Sequence, residues 1–282
     1  MSDFTQRNFI HGGKESHIKD WIPYEWDDPN LGKQLRGEVG MVRSCGTSGY
    51  LTSGFWRIGS TSPLAAPDGS HSFTYSSPAG DDITCVLEGS ARLTIPATGE
   101  TYSVGPGTII TTPRGIEVQY EIAPPHFKTF WCIWSGTSLT LNPPTNLQIN
   151  HVDDRPDHWS RHPLNGPELG PLVGGEFYYI LNGGTSGSFM SGIRRWQETL
   201  GGSDVNAPTH ATIPYDAKFG DETIFLLEGT VEIIETGGGG VQRKFEAGDV
   251  IGLSQGMPVK WILNGSVIKM LWIITHDSLP GV

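Results

Sequence analysis

The chain has 282 residues, including 38 Gly and 20 Pro, and only 17% of its positions are charged. Glycine is roughly double its usual ~7%, yet 9 Trp, 8 Tyr and 11 Phe exclude low-complexity disorder, which lacks such apolar surface. The composition excludes a helical bundle and points to many short strands joined by Gly/Pro turns. A formal charge of −11 leaves no Lys/Arg patch for phosphate neutralisation or for an anionic membrane. No apolar run approaches the ~18 residues of a spanning helix, and the polar start MSDFTQRNFIHGGKES does not read as a signal peptide. A cytoplasmic protein with neither nucleic-acid nor membrane partners is expected. Cys45, Cys85 and Cys132 form no CxxC motif; Cys85 and Cys132 lie in apolar runs and read as buried thiols.

In chain order, residues 1–46 read as an N-terminal arm, 47–136 as a first barrel, 137–184 as a Pro/Asn/His-rich connector and 185–282 as a second barrel. The division rests on an internal repeat. TSGYLTSGFWR (47–57) matches TSGSFMSGIRR (185–195), and YSSPAGDDITCVLEG (75–89) matches YDAKFGDETIFLLEG (215–229). VGPGTIITTPRGIEVQY (104–120) matches FEAGDVIGLSQGMPVKW (245–261), and KTFW (128–131) matches KMLW (269–272). The separation drifts only from 138 to 141 residues, so the blocks keep both order and register. Each unit reads as short β segments with Gly turns, which predicts an antiparallel barrel or sandwich.

An acid followed by Leu-Glu-Gly (Asp82 to Gly89, Glu222 to Gly229), a later Gly248-Asp249 and the Pro113-Arg114-Gly115 turn resemble the two motifs of the cupin superfamily. Two copies resemble a bicupin, of the group that places Trp after the second motif, here Trp261 with Tyr120 in the first copy. The resemblance covers about 47–136 and 185–276 and implies an all-β fold of two tandem antiparallel jelly-roll barrels. Metal-binding members use a His-x-His pair, an acid and a later His. The corresponding places hold Asp216, Lys218, Glu222 and Val259 in the second copy, and Ser76, Pro78, Asp82 and Val118 in the first. With no His at any of them, no metal and no cofactor is expected, apart from a weakly held divalent ion at Asp216 and Glu222.

The catalytic candidates are therefore Asp216, Lys218 and Glu222, confined together in the second barrel, where burial and mutual charge shift their pKa values. Strand parity adds His210 and Thr212 to that face as substrate-binding candidates and places Tyr215 on the opposite, packing face. Trp261 shares the parity of Val259 and would stack on a substrate. In the first copy Thr74, Ser76, Asp82 and Tyr120 take the interior parity, with less acid–base capacity. Arg195, repeated as Arg57, would bind a substrate carboxylate or form a structural salt bridge in each copy.

The expected function is an enzyme acting on a small oxygenated metabolite by proton transfer next to a carbonyl, of isomerase or lyase type. Glu222 or Asp216 would be the base, and Lys218 the enolate stabiliser or imine former. A metal-dependent bicupin hydrolase or dioxygenase is a second reading, and a non-catalytic small-molecule binder a third. The partner is a small-molecule substrate, and the chain is expected as a monomer or homodimer.

Overall fold

The computed structural model describes residues 11–28, 32–77, 79–140, 143–154, 159–166, 170–196, 210–237, 240–265 and 267–277. Their regular structure is 22 strands and one short 3-10 turn, Glu15–His17. The strands build two copies of a single design, each a seven-stranded sheet facing a four-stranded one. This is the all-β pair of tandem barrels that the repeat implies.

In the first copy the larger sheet runs Gln148–His151, Thr108–Thr112, Asp81–Glu88, His126–Ser135, Tyr50–Gly59, Gly32–Arg43, Ile22–Asp28. Its smaller sheet runs His71–Ser76, Glu117–Ile122, Ala91–Thr94, Thr101–Val104. In the second copy the larger sheet runs His11–Gly13, Val250–Leu253, Asp221–Glu228, Ile268–His276, Ser188–Trp196, Gly170–Asn182, Ser160–Gly166. The smaller one runs His210–Asp216, Pro258–Asn264, Thr230–Glu235, Gln242–Glu246. The order is the same in both, and every pairing between these strands is antiparallel.

The segments outside the repeated blocks are thus built into the sheets. Gly32–Arg43 pairs with Tyr50–Gly59, as Gly170–Asn182 pairs with Ser188–Trp196. The first strand of each unit crosses over: His11–Gly13 pairs with Val250–Leu253 of the second barrel, and Gln148–His151 with Thr108–Thr112 of the first. The unit that repeats is therefore longer than its matching blocks, and the connector supplies three of its strands.

Sequence pattern accounts for the layers. Pro258–Asn264 alternates, with Val259, Trp261 and Leu263 buried between exposed or half-buried neighbours, as a strand with one wet face must. Asp221–Glu228 is buried at six consecutive positions, because one face lines its barrel and the other meets the second barrel. Three apolar clusters follow: one inside each barrel and one between them, where Phe130 stacks on Phe225 at 4.7 Å. Gly89 and Gly229 close the same hairpin in each copy with φ of +80° and +87°, where a Cβ would run into the carbonyl oxygen of His126 or Val267.

Polar contacts across the interface obey the same two-fold relation. Asp221 accepts hydrogen bonds from the Thr47 amide (2.6 Å) and from the Gln255 amide of its own barrel (3.0 Å). Asp81 accepts from the Thr185 amide (2.7 Å) and the Arg114 amide (2.9 Å). Each repeated Thr-Ser-Gly thus docks on the Gly-Asp of the other half. Arg43 has no counterpart in this symmetry, since Leu181 stands in the equivalent place. It is 1% exposed, donates to the Glu222 carbonyl at 2.8 Å and lies 3.3 Å from the Asp221 carboxylate.

Asp221→Ala leaves the Arg43 charge buried without its carboxylate and is expected to cost about 3–5 kcal/mol. Asp81→Ala, which removes only hydrogen bonds to amides, is expected to cost about 1–3 kcal/mol. Urea unfolding followed by Trp fluorescence checks the order; equal losses would show that Arg43 adds nothing to the interface.

Candidate functional site

Each barrel encloses a cavity at the same place. The first measures about 70 Å³ and is lined by Asp82, Tyr75, Tyr120, Trp131 and further aromatic side chains. The second measures about 230 Å³ and is lined by Glu222, Tyr215, Arg194, Trp272 and apolar residues that include Met190, Met270 and Phe219. The acid, the Tyr and the Trp of one cavity match those of the other by repeat position.

In the second barrel Glu222 is 4% exposed and accepts a short hydrogen bond from the Tyr215 hydroxyl. Arg194 reaches the same spot, with its guanidinium 6.0 Å from the centre of the Tyr215 ring and 4.1 Å from that of Trp196. Burial pushes the Glu222 carboxyl up to about 7, opposed by the Tyr215 hydrogen bond and the charges of Arg194 and Arg43. Burial and the Glu222 charge together hold the Tyr215 hydroxyl well above its usual range. Burial lowers the Arg194 guanidinium, opposed by Tyr215 and Glu222. A carboxyl that titrates near neutrality, bonded to a phenol and next to a guanidinium, can take up or release a proton at a bound molecule. Trp272 has an indole N–H with no partner among the described residues, so a donor is left over for an acceptor on a ligand.

The first cavity contains the same acid without the guanidinium, because Trp56 occupies the place of Arg194. Burial pushes Asp82 up to about 7, opposed by the hydrogen bond from Thr84 at 3.1 Å and reinforced by the Asp81 charge.

Several expected site residues lie elsewhere. Asp216, Lys218, Thr212 and His210 are all exposed, so the predicted cluster of Asp216, Lys218 and Glu222 in one low-dielectric enclosure does not form. The reason is register. Tyr215 pairs with Val259 and Ile213 with Trp261, and residues directly opposite in a ladder share a face. The odd positions of His210–Asp216 therefore point inward and the even ones outward. Parity does not carry through the 217–220 turn, so Glu222 faces in although Asp216 faces out.

Tyr215, assigned to the packing side, is instead the partner of the acid. Asp216 reaches the site only through its charge, which raises both Glu222 and Tyr215. Lys218 places its ammonium 5.4 Å from the Phe219 ring, at the cavity rim. The first copy follows the same rule: Phe73 and Tyr75 face in, while Thr74 and Ser76 pair with Gln119 and Glu117 on the other face.

Trp261 is 2% exposed within the barrel core, 5.9 Å from Trp196, and packs there instead of lining the cavity. Arg195 forms a salt bridge with Glu176 (2.9 Å) over the Trp159 ring (3.9 Å). Arg57 repeats this with Glu38 (3.0 Å) and Trp21 (3.8 Å), so the structural alternative holds for the pair. Arg194, one residue from Arg195, is the basic group that enters the site.

The metal-site positions fare no better as ligands. Val259 and Val118 are buried apolar residues, Pro78 lies outside the described residues, and Ser76 and Asp216 are turned off the cavity face. No group of three or more His, Cys, Asp or Glu suited to a metal ion exists among the described residues. One carboxyl per cavity, bonded to Tyr215 or Thr84, does not fit the donor set that a divalent ion requires.

Comparison with known proteins agrees with this architecture. Residues 209–270 match a family model described as an EutQ-like cupin domain. A protein of unknown function from Pseudomonas syringae pv. tomato superposes with TM-score 0.62, at 13% identity, over 95% of this chain and 100% of that one. The fold is that of a bicupin. The protein Ylba from E. coli superposes on this chain with TM-score 0.61 at 9% identity, over 98% and 94% of the two chains. Oxalate decarboxylase from Bacillus subtilis gives 0.50 at 12% identity, over 96% and 78%. At these identities the likeness concerns the fold alone. No curated protein matches the chain. No helix among the described residues is long and apolar enough to cross a membrane.

The two raised carboxyls give the protein a definite pH response. Below the ordinary values of 3.8 and 4.5, folded and unfolded chains both hold these protons. Between there and about 7 the folded chain holds more of them, so both carboxyls lower stability as pH rises through that window. Asp82→Asn and Glu222→Gln are each expected to flatten the fall by up to about 1 kcal/mol per pH unit. Urea unfolding of wild type and variants at several pH values from 4 to 7 measures it; parallel curves would show that neither carboxyl is raised.

Proposed function

We propose that the second barrel of this bicupin is an enzyme site for a small oxygenated metabolite and moves a proton next to its carbonyl. The observation that carries the reading is the buried Glu222, bonded to Tyr215 and faced by Arg194 in a cavity of about 230 Å³. A cavity of that size suits a metabolite of a few carbons, and its mixed lining fixes orientation through few polar groups.

Ionised Glu222 takes a proton from the carbon next to the carbonyl. The C–H bond breaks, an O–H bond forms on Glu222, and the electron pair moves onto the carbonyl oxygen. Arg194 and the unpartnered Trp272 N–H supply positive charge and a hydrogen bond to that oxygen as its charge develops. On a 2-hydroxy carbonyl compound, return of the proton to the former carbonyl carbon, with the hydroxyl proton passing to the first oxygen, completes an isomerisation; when a β-substituent leaves with its bonding pair as the enolate electrons form the C=C bond, the result is a lyase. Lys218, on the outer surface, forms no imine in this scheme, and Arg194 takes the role expected for it.

Proton exchange in D₂O, followed by NMR across a panel of small 2-oxo and 2-hydroxy acids, tests the reading. At least one member is expected to exchange, at a rate that rises with pH up to about 7 as Glu222 ionises. Glu222→Gln should slow exchange by about 10²–10⁴-fold, and Arg194→Met should slow it as well, while Lys218→Met leaves it unchanged. No exchange in any panel member, or full activity in Glu222→Gln, overturns the proposal.

A further inference from the structure

The first barrel departs from the second in the sign of the charge its cavity can accommodate. Eight of the thirteen residues around it are aromatic and none is basic; the Arg36 guanidinium lies outside this lining, 5.4 Å from the centre of the Phe73 ring. The rings form a continuous wall: Trp26 meets Tyr75 edge-on at 5.5 Å and Phe73 at 6.0 Å, Trp56 meets Phe73 at 6.2 Å, and Phe73 stacks on Tyr120 at 5.3 Å. The single acid among these residues is Asp82, 7% exposed, and its one hydrogen-bond donor in the cavity wall is Thr84. Close-packed interiors leave few voids larger than one water molecule. A space of about 70 Å³ next to a buried carboxyl exceeds that several times over.

Aromatic faces carry negative potential, and a desolvated organic cation is attracted to them more strongly than an isosteric neutral molecule. An inorganic cation needs several strong oxygen ligands such as carboxylates and carbonyls, and the cavity provides one carboxyl with two threonine and three tyrosine hydroxyls. A strongly hydrated primary ammonium would need an acceptor for each of its three N–H groups, and most of the lining is ring face, with hydroxyls only on Thr84, Thr129, Tyr24, Tyr75 and Tyr120. Trp26 and Trp56 are only partly buried and mark the side open to an incoming ligand.

We propose that the first barrel is a binding site for a small methylated or quaternary ammonium compound, held in the box of Trp26, Trp56, Phe73, Tyr75 and Tyr120 with Asp82 as its counter-ion. The site is separate from the one around Glu222, where the corresponding position to Trp56 is Arg194 and a cation is repelled. The positive charge compensates the one buried carboxyl.

Titration calorimetry of the full chain with tetramethylammonium, and separately with tert-butanol, a neutral molecule of the same shape, tests this. Saturable binding of tetramethylammonium is expected, with one equivalent per chain and tert-butanol at least about tenfold weaker. Asp82→Asn should weaken tetramethylammonium by about tenfold or more while leaving tert-butanol unchanged. Equal affinity for the two molecules, no binding of tetramethylammonium at high millimolar concentration, or undiminished binding by Asp82→Asn overturns the proposal. The wild-type comparison of the two ligands decides the matter should the variant fail to fold.

Discussion

Asp81 and Asp221 each hold the Thr-Ser-Gly turn of the opposite half through its first amide, at 2.7 and 2.6 Å, and tie down a turn of their own barrel with the second oxygen. Each carboxylate is at most 1% exposed, so its hydrogen bonds form where a lost partner is not replaced by water. The pair fixes the two barrels in the orientation that a two-fold dimer of single barrels would have, with one surface patch meeting its own copy. The crossed first strands, His11–Gly13 and Gln148–His151, repeat the same exchange at the sheet edges. Ser48 and Ser186 add a further reciprocal pair, accepting from the Asp277 and Gly136 amides.

That constraint determines which residues can change. The aspartates sit one residue before Asp82 and Glu222, so the strand that locks the interface also presents the cavity acid, and neither can shift in register without the other. Residues with no part in the lock have diverged. Trp56 and Arg194 occupy one place, Thr84 and Ile224 another, Thr129 and Met270 a third. The acid is thus kept in two different surroundings on one frame. Arg43 shows the reverse: a charge present on one side of the symmetry only, facing the buried Asp221 carboxylate at 3.3 Å.

The sequence is informative about this molecule wherever both copies agree. The repeated Gly turns, the Leu-Glu-Gly hairpins and the spacing of blocks specify tandem barrels, because backbone geometry leaves Gly89 and Gly229 little choice. Glu222 and Asp82 were also legible, as acids repeated within apolar strands. The rest of the site was not, and for definite reasons. Alternation specifies faces only within one strand, and the turn at 217–220 resets it, which exchanged Tyr215 with Asp216. Arg194 and Arg195 are adjacent, and only the ladder reveals that Arg195 turns out to Glu176 while Arg194 turns in. Tyr24 and Trp26 reach the first cavity from a strand that lies outside the matching blocks. A signal existed for it, since Trp21, Glu38 and Arg57 recur as Trp159, Glu176 and Arg195 at a constant separation of 138, and this carries the unit upstream of residue 47.

A carboxyl held near neutrality is unusual in a protein interior, where an acid is ordinarily paired or replaced. In the second barrel the charge on Glu222 is shared with Tyr215 and offset by Arg194, so both protonation states are accessible without unfolding the strand. In the first barrel Asp82 has a hydroxyl and aromatic rings about it, and ionisation there lacks a compensating charge. The same acid on the same strand therefore meets a phenol and a guanidinium in one cavity and a hydroxyl and aromatic rings in the other. The largest difference in charge comes from one exchange, Trp56 for Arg194, beside those of Thr84 for Ile224 and Thr129 for Met270.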